Sequence, residues 1–179
     1  MSKSLRFVEN AGAVLLPGLL ILAAGCGSAA GSSSCGAEAI DPGVIEATVD
    51  GESWEGGAAT WMLAGSSLQI NSASAGGWWL SAVAQTTVDG AGVGDALAAG
   101  DLPAEVDLPE SGAGGWATFY PDSGDSYSTK LAAGGTLTLA KQDGADLLGC
   151  FAFVAANGAG DEVTVESGRF RAAEGLALD

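Results

Sequence analysis

From residue 44 onward the chain alternates apolar and polar positions with a period of two. In Val44-Ile45-Glu46-Ala47-Thr48-Val49 the side chains of Ile45, Ala47 and Val49 share one face of an extended strand. Asp50-Gly51 follows, a strong signal for a two-residue hairpin turn, and Glu52-Ser53-Trp54 begins the return. Residues 59–63 and 67–71 predict a second hairpin through Gly65-Ser66, with Leu68 and Ile70 on one face. Residues 77–85 carry apolar bulk on both parities. Trp78, Leu80, Ala82 and Ala84 fall on one side and Trp79 and Val83 on the other, which predicts a central strand.

The last third is the most regular. Leu137 and Leu139 alternate with Thr136 and Thr138, Asp143-Gly144 turns the chain, and residues 148–156 return. There Phe151 and Phe153 point one way and Cys150, Ala152 and Val154 the other. Residues 157–160 turn again, and residues 162–166 alternate through Val163 and Val165. Phe170 is out of parity with those two valines, so Ser167-Gly168 is read as a β-bulge. Strands are also expected at 115–120 and 126–130, around a turn at 121–125. Between Asp89 and Glu110 the alternation dissolves. Asp-Gly and Gly-Asp steps with Pro103 and Pro109 predict a long acidic loop, with at most a short helical turn at 95–99.

Eight to nine short strands joined by tight turns define an all-β domain, an antiparallel β-sandwich or a small β-barrel. Periodicity does not separate these two. The Thr-Val-Asp-Gly sequence at 48–51 recurs at 87–90 without any repeat around it, and reflects shared turn chemistry.

The N-terminus has a different pattern. Lys3 and Arg6 precede an apolar run at 11–24, shorter than the roughly 20 residues a bilayer-spanning helix needs and interrupted by Pro17. The sequence Leu22-Ala23-Ala24-Gly25-Cys26 resembles the lipobox of bacterial lipoproteins, with Ala23 where Leu is usual. The resemblance implies acylation of Cys26 and cleavage after Gly25. Two or three acyl chains, of the palmitate kind, anchor a protein stably where one is marginal. Gly27 follows Cys26, which resembles the pattern that sorts lipoproteins to the outer membrane. The expected organisation is a signal at 1–25, a lipidated Gly/Ser-rich tether at 26–40 and one β-domain at 41–179.

Export implies an oxidising compartment, where Cys35 and Cys150 are expected to pair as a disulfide. The bridge would close a loop of about 115 residues and strap the start of the domain to a late strand. The alternative is a small, buried Cys150 and a separate Cys35.

Three stretches resemble a family of uncharacterised bacterial lipoproteins with a single β-domain of unknown function. They are the opening Val49-Asp50-Gly51-Glu52-Ser53-Trp54, residues 135–139 with 149–153, and Val163-Thr164-Val165 leading to Gly168-Arg169-Phe170. The family carries Thr or a similar residue where Cys150 stands, so the expected disulfide belongs to this chain alone. The resemblance implies no activity and no catalytic residue.

Charge and composition narrow the function. Six basic and 22 acidic residues give a net charge of -16, and loss of residues 1–25 makes it slightly more negative. Such a chain repels phosphate backbones, and nucleic acid is excluded as an expected partner. The chain has no His, so the commonest general base and metal ligand are both missing. Ser128 and Lys130 are the cheapest substitute dyad, read instead as a solvent-facing strand edge. Three Cys, one of them lipidated, do not make a four-ligand zinc site. Asp122 with Asp125, and residues 89–101, have a composition suited to calcium but lack EF-hand order, and Asp and Gly serve turn geometry equally well. No catalytic residue, metal site or cofactor is assigned.

Tryptophan is the remaining signal. Trp78, Trp79 and Trp116 are candidate stacking surfaces for a sugar ring or a flat apolar ligand, with core packing as the competing role. The expected function is that of a non-enzymatic, lipid-anchored envelope protein with a structural or protein-contact role. The alternative is a glycan or small-molecule binder using exposed Trp and the 86–114 loop.

Overall fold

The computed structural model describes residues 35–74, 79–121 and 124–175. The expected signal, Cys26 and Trp78 lie outside the described residues. Ten strands are seen among the described residues: β1 (Val44–Val49), β2 (Glu52–Ala64), β3 (Ser67–Ala73), β4 (Trp79–Ala84), β5 (Ala104–Leu108), β6 (Gly115–Tyr120), β7 (Tyr127–Ser128), β8 (Gly134–Asp143), β9 (Asp146–Ala156) and β10 (Glu162–Glu174). One short helix, α1 (Val93–Ala99), precedes β5.

Eight of these strands close into an antiparallel β-barrel, so of the two architectures the barrel is the one formed. The ring runs β1, β2, β3, β4, β6, β7, β9, β10 and back to β1. β8 branches from β9, and β5 pairs along β8. Beyond the start of β1, β10 meets β2 directly, with Ala173 opposite Thr60.

Closure of a small barrel demands sharp strand bending, and bulges supply it. Both neighbours of β10 register one extra residue near Ser167, which sits at φ 52°, as the parity of Phe170 requires. A second bulge in β2 places Ala58 at φ 51° and joins residues 52–54 and 59–63 into one long strand. A third lies between Leu139 and Lys141. The Asp50-Gly51 turn has both residues at positive φ, 49° and 83°, as the tightest hairpin requires.

The interior is one apolar cluster. Ile45, Trp54, Leu68, Ile70, Leu80, Phe119, Leu137, Leu139, Phe151, Phe153 and Phe170 all belong to it. The alternation in 135–139, 148–156 and 162–170 places the expected side chains inward, with Phe151 and Phe153 buried and Ala152 exposed.

Within the expected long loop at 89–110, the short helical turn read at 95–99 forms as α1, and an unexpected strand, β5, follows it. Ala104, Val106 and Leu108 are buried while Glu105 and Asp107 face outward. Five residues between two prolines read as punctuation. Here the prolines instead bound an edge strand, where a missing N–H costs no ladder bond. Residues 126–130 give only the two-residue β7, then a 3-10 turn at Thr129–Leu131. Thr129 is buried there, and its hydroxyl accepts a hydrogen bond from the Ala117 amide at 3.1 Å. At the other end, the last residues of the expected tether are packed. A 3-10 turn at Ala37–Ala39 buries Ala37, and Ile40 is buried beside it. Among the described residues no helix is long and apolar enough to cross a membrane.

Candidate functional site

The outer wall carries the polar chemistry, because strand alternation sends Thr, Glu, Arg and Cys outward wherever the apolar parity is inside. On β9 the outward residue Cys150 lies opposite Thr138 of β8 and Arg169 of β10. Arg169 is also opposite Glu46 of β1, and its Nη2 donates to Glu46 Oε2 at 2.7 Å. A cavity of 740 Å³ opens along this stretch of wall, with Cys35, Cys150, Glu46, Thr138 and Arg169 among its lining.

Cys35 and Cys150 meet across that cavity. Both are thiols, both are half-buried, and their side chains share a hydrogen bond. The hydrogen bond from Cys35 lowers the Cys150 pKa to about 7, assisted by the Thr138 hydroxyl and opposed by burial and by Glu105. The same bond holds the Cys35 proton in place and pushes its pKa well up, with burial and Glu38 adding to the rise and Arg169 opposing it. The two cysteines singled out by export logic are thus neighbours in space. Thr138, Glu46 and Arg169, which complete their surroundings, carried no sequence signal beyond outward parity.

The tryptophans separate. Trp61 is buried, and its Nε1 donates to the Ala145 carbonyl at 2.9 Å. Trp54 is buried, and its Nε1 has no partner among the described residues. Trp79 is on the outer wall, 48% exposed, opposite Tyr120 at 38%. Their ring centroids are 5.6 Å apart with a 34° tilt. Trp116 is half-buried and capped by the Lys130 ammonium, 3.6 Å from the ring centroid. It pairs with Val83, four residues along β4 from Trp79, roughly 13 Å away by strand rise. Trp79 and Trp116 therefore do not make one platform. Tyr120, which no sequence signal marks, is the partner of Trp79. It shares outward parity with Trp116 and Thr118.

Segment 86–114 lines a separate cavity of 590 Å³ that includes Asp89, Asp101 and Glu105. Among the described residues no group of three or more Cys, Asp or Glu is arranged to hold a metal ion. Ser128 uses its hydroxyl to accept from the Lys130 amide at 3.3 Å, while the Lys130 ammonium lies over Trp116. The two side chains form a turn cap and a cation–π contact, not a dyad. Comparison with known protein families, with curated proteins and with solved structures matches none of them to this chain.

Proposed function

We propose that this chain is a non-enzymatic cell-envelope lipoprotein, acylated on Cys26, held at the outer membrane, and acting through protein contacts made by the outer wall of its barrel. The observation that carries the reading is the filled interior. One apolar cluster containing Phe119, Phe151, Phe153 and Phe170 occupies the space where a ligand-carrying barrel keeps its lumen. Contact with other molecules then falls to the outer wall, and the lipobox residues 22–26 supply the address. Membership of the lipoprotein family that opens with Val-Asp-Gly and Trp is part of the same proposal. The test is labelling with an alkyne fatty acid in a diderm host, followed by membrane fractionation. Label and outer-membrane partition should both vanish in Cys26→Ala. An unlabelled wild-type chain with residues 1–25 intact would refute the address.

A second reading is favoured by one observation, the exposed cross-strand pair Trp79 and Tyr120. Two tilted aromatic faces on the outer wall suit stacking on a sugar ring. Titration with soluble envelope glycan fragments would then quench or shift tryptophan emission in the wild type and not in Trp79→Ala. Flat titrations in both would remove this reading and leave the first.

A further inference from the structure

The contact between Cys35 and Cys150 reaches beyond the anchoring role. We propose that the two thiols are a redox pair that closes to a disulfide and reopens by exchange with low-molecular-weight disulfides and thiols, clipping the start of the domain to β9. Four features hold the pair in place. Cys150 sits in a continuous ladder between Thr138 and Arg169. Buried Ala37 and Ile40 pin the segment that carries Cys35. Gly36, at φ 73°, turns that segment back, and the side-chain position it leaves empty lies 3.3 Å from Arg169 Nη1. Arg169 is itself held by Glu46. Both cysteines are only half-buried and line the 740 Å³ cavity, through which a small reagent can approach them.

The surroundings assign the order of events. Cys150 receives hydrogen bonds from Cys35 and Thr138, and its pKa of about 7 leaves roughly half of it as thiolate at neutral pH despite Glu105 nearby, which makes it the nucleophile of the pair. Its sulfur attacks one sulfur of an external disulfide and expels one thiolate, leaving a mixed disulfide on Cys150. The negative charge that held the proton on Cys35 is then gone. Arg169 favours the Cys35 thiolate, opposed by Glu38 from its own segment. Cys35 releases its proton, attacks the Cys150 sulfur and expels the second thiolate. Two protein thiols become one disulfide, and the external disulfide becomes two thiols carrying the two protons.

The experiment uses the full chain carrying Cys26→Ser, so its outcome is independent of lipidation. The reduced protein is equilibrated in glutathione buffers of graded redox ratio, trapped with a maleimide polymer and mapped by proteolysis. The expected result is a reversible, paired loss of two reactive thiols and a peptide linking Cys35 to Cys150. The oxidised form should melt higher by on the order of 10 °C. In the reduced protein, alkylation of Cys150 should rise with pH through a midpoint near 7. Cys35→Ser should move that midpoint toward the ordinary thiol range. Two thiols that stay reactive in oxidised glutathione, or a bridge that forms only in denaturant, would overturn the proposal. So would a Cys150 midpoint unchanged by Cys35→Ser.

Discussion

The ring of Phe170 on β10 covers the backbone of Gly149 directly across the ladder on β9. Ring carbon Cζ lies 2.5 Å from where a β-carbon on Gly149 would stand, and the Thr138 carbonyl crowds the same point. Two register pairs along, Phe151 of β9 covers Gly168 of β10 in the opposite sense. The two large rings fit inside a narrow barrel because each faces a residue with no side chain.

Gly149→Ala is therefore expected to destabilise the domain by about 1–3 kcal/mol through overpacking, since backbone as well as ring must move. Phe170→Ala is expected to cost about 3–5 kcal/mol through the cavity it leaves. The double variant should cost less than the two together, because the alanine methyl relaxes into the vacated space. Urea unfolding with an unchanged slope would check all three.

Asp50 supports the β1–β2 hairpin in two ways. It occupies positive φ, and its Oδ1 accepts from the Thr164 amide at 2.8 Å while its own amide donates to the Thr164 carbonyl at 2.9 Å. Asp50→Ala should cost about 1–2 kcal/mol, by loss of that acceptor and by backbone strain. Asp50→Asn keeps both the acceptor and the tolerance of positive φ, and its urea midpoint should stay close to that of the wild type.

Trp61 and Trp54 are buried to the same degree but differ at the indole nitrogen. Trp61→Phe removes a made hydrogen bond to the Ala145 carbonyl, which then keeps only the Glu174 amide as donor. Trp54→Phe removes a buried N–H that has no partner among the described residues and whose desolvation costs about 1–3 kcal/mol in the wild type. Trp61→Phe should therefore be the more destabilising of the two in thermal melts. The reverse order would mean that the Trp54 nitrogen is satisfied in solution.

Trp79 is exposed while Trp54 and Trp61 are buried. Trp79→Phe should reduce the fraction of emission that acrylamide quenches, whereas Trp61→Phe should leave the quenchable part intact. Stern–Volmer plots of the two variants provide the comparison.

Local parity already contained much of this structure. Which side chains of 44–49, 135–139 and 148–156 face inward follows from alternation, because successive residues of a strand must point to opposite faces. The Asp50-Gly51 turn and the bulge at Ser167-Gly168 follow from backbone preferences and a one-residue break in that alternation. The strand at 104–108 was hidden because its five-residue signal lies between prolines that mark turns as readily as edges. Only the tertiary structure decided that the strands close into a ring, that Tyr120 and not Trp116 accompanies Trp79, and that Cys150 stands between Thr138 and Arg169 within reach of Cys35. Those relationships depend on strand order and on register across bulges. They join residues far apart in the chain, and a pattern that repeats every two residues carries no information about which distant strand lies alongside.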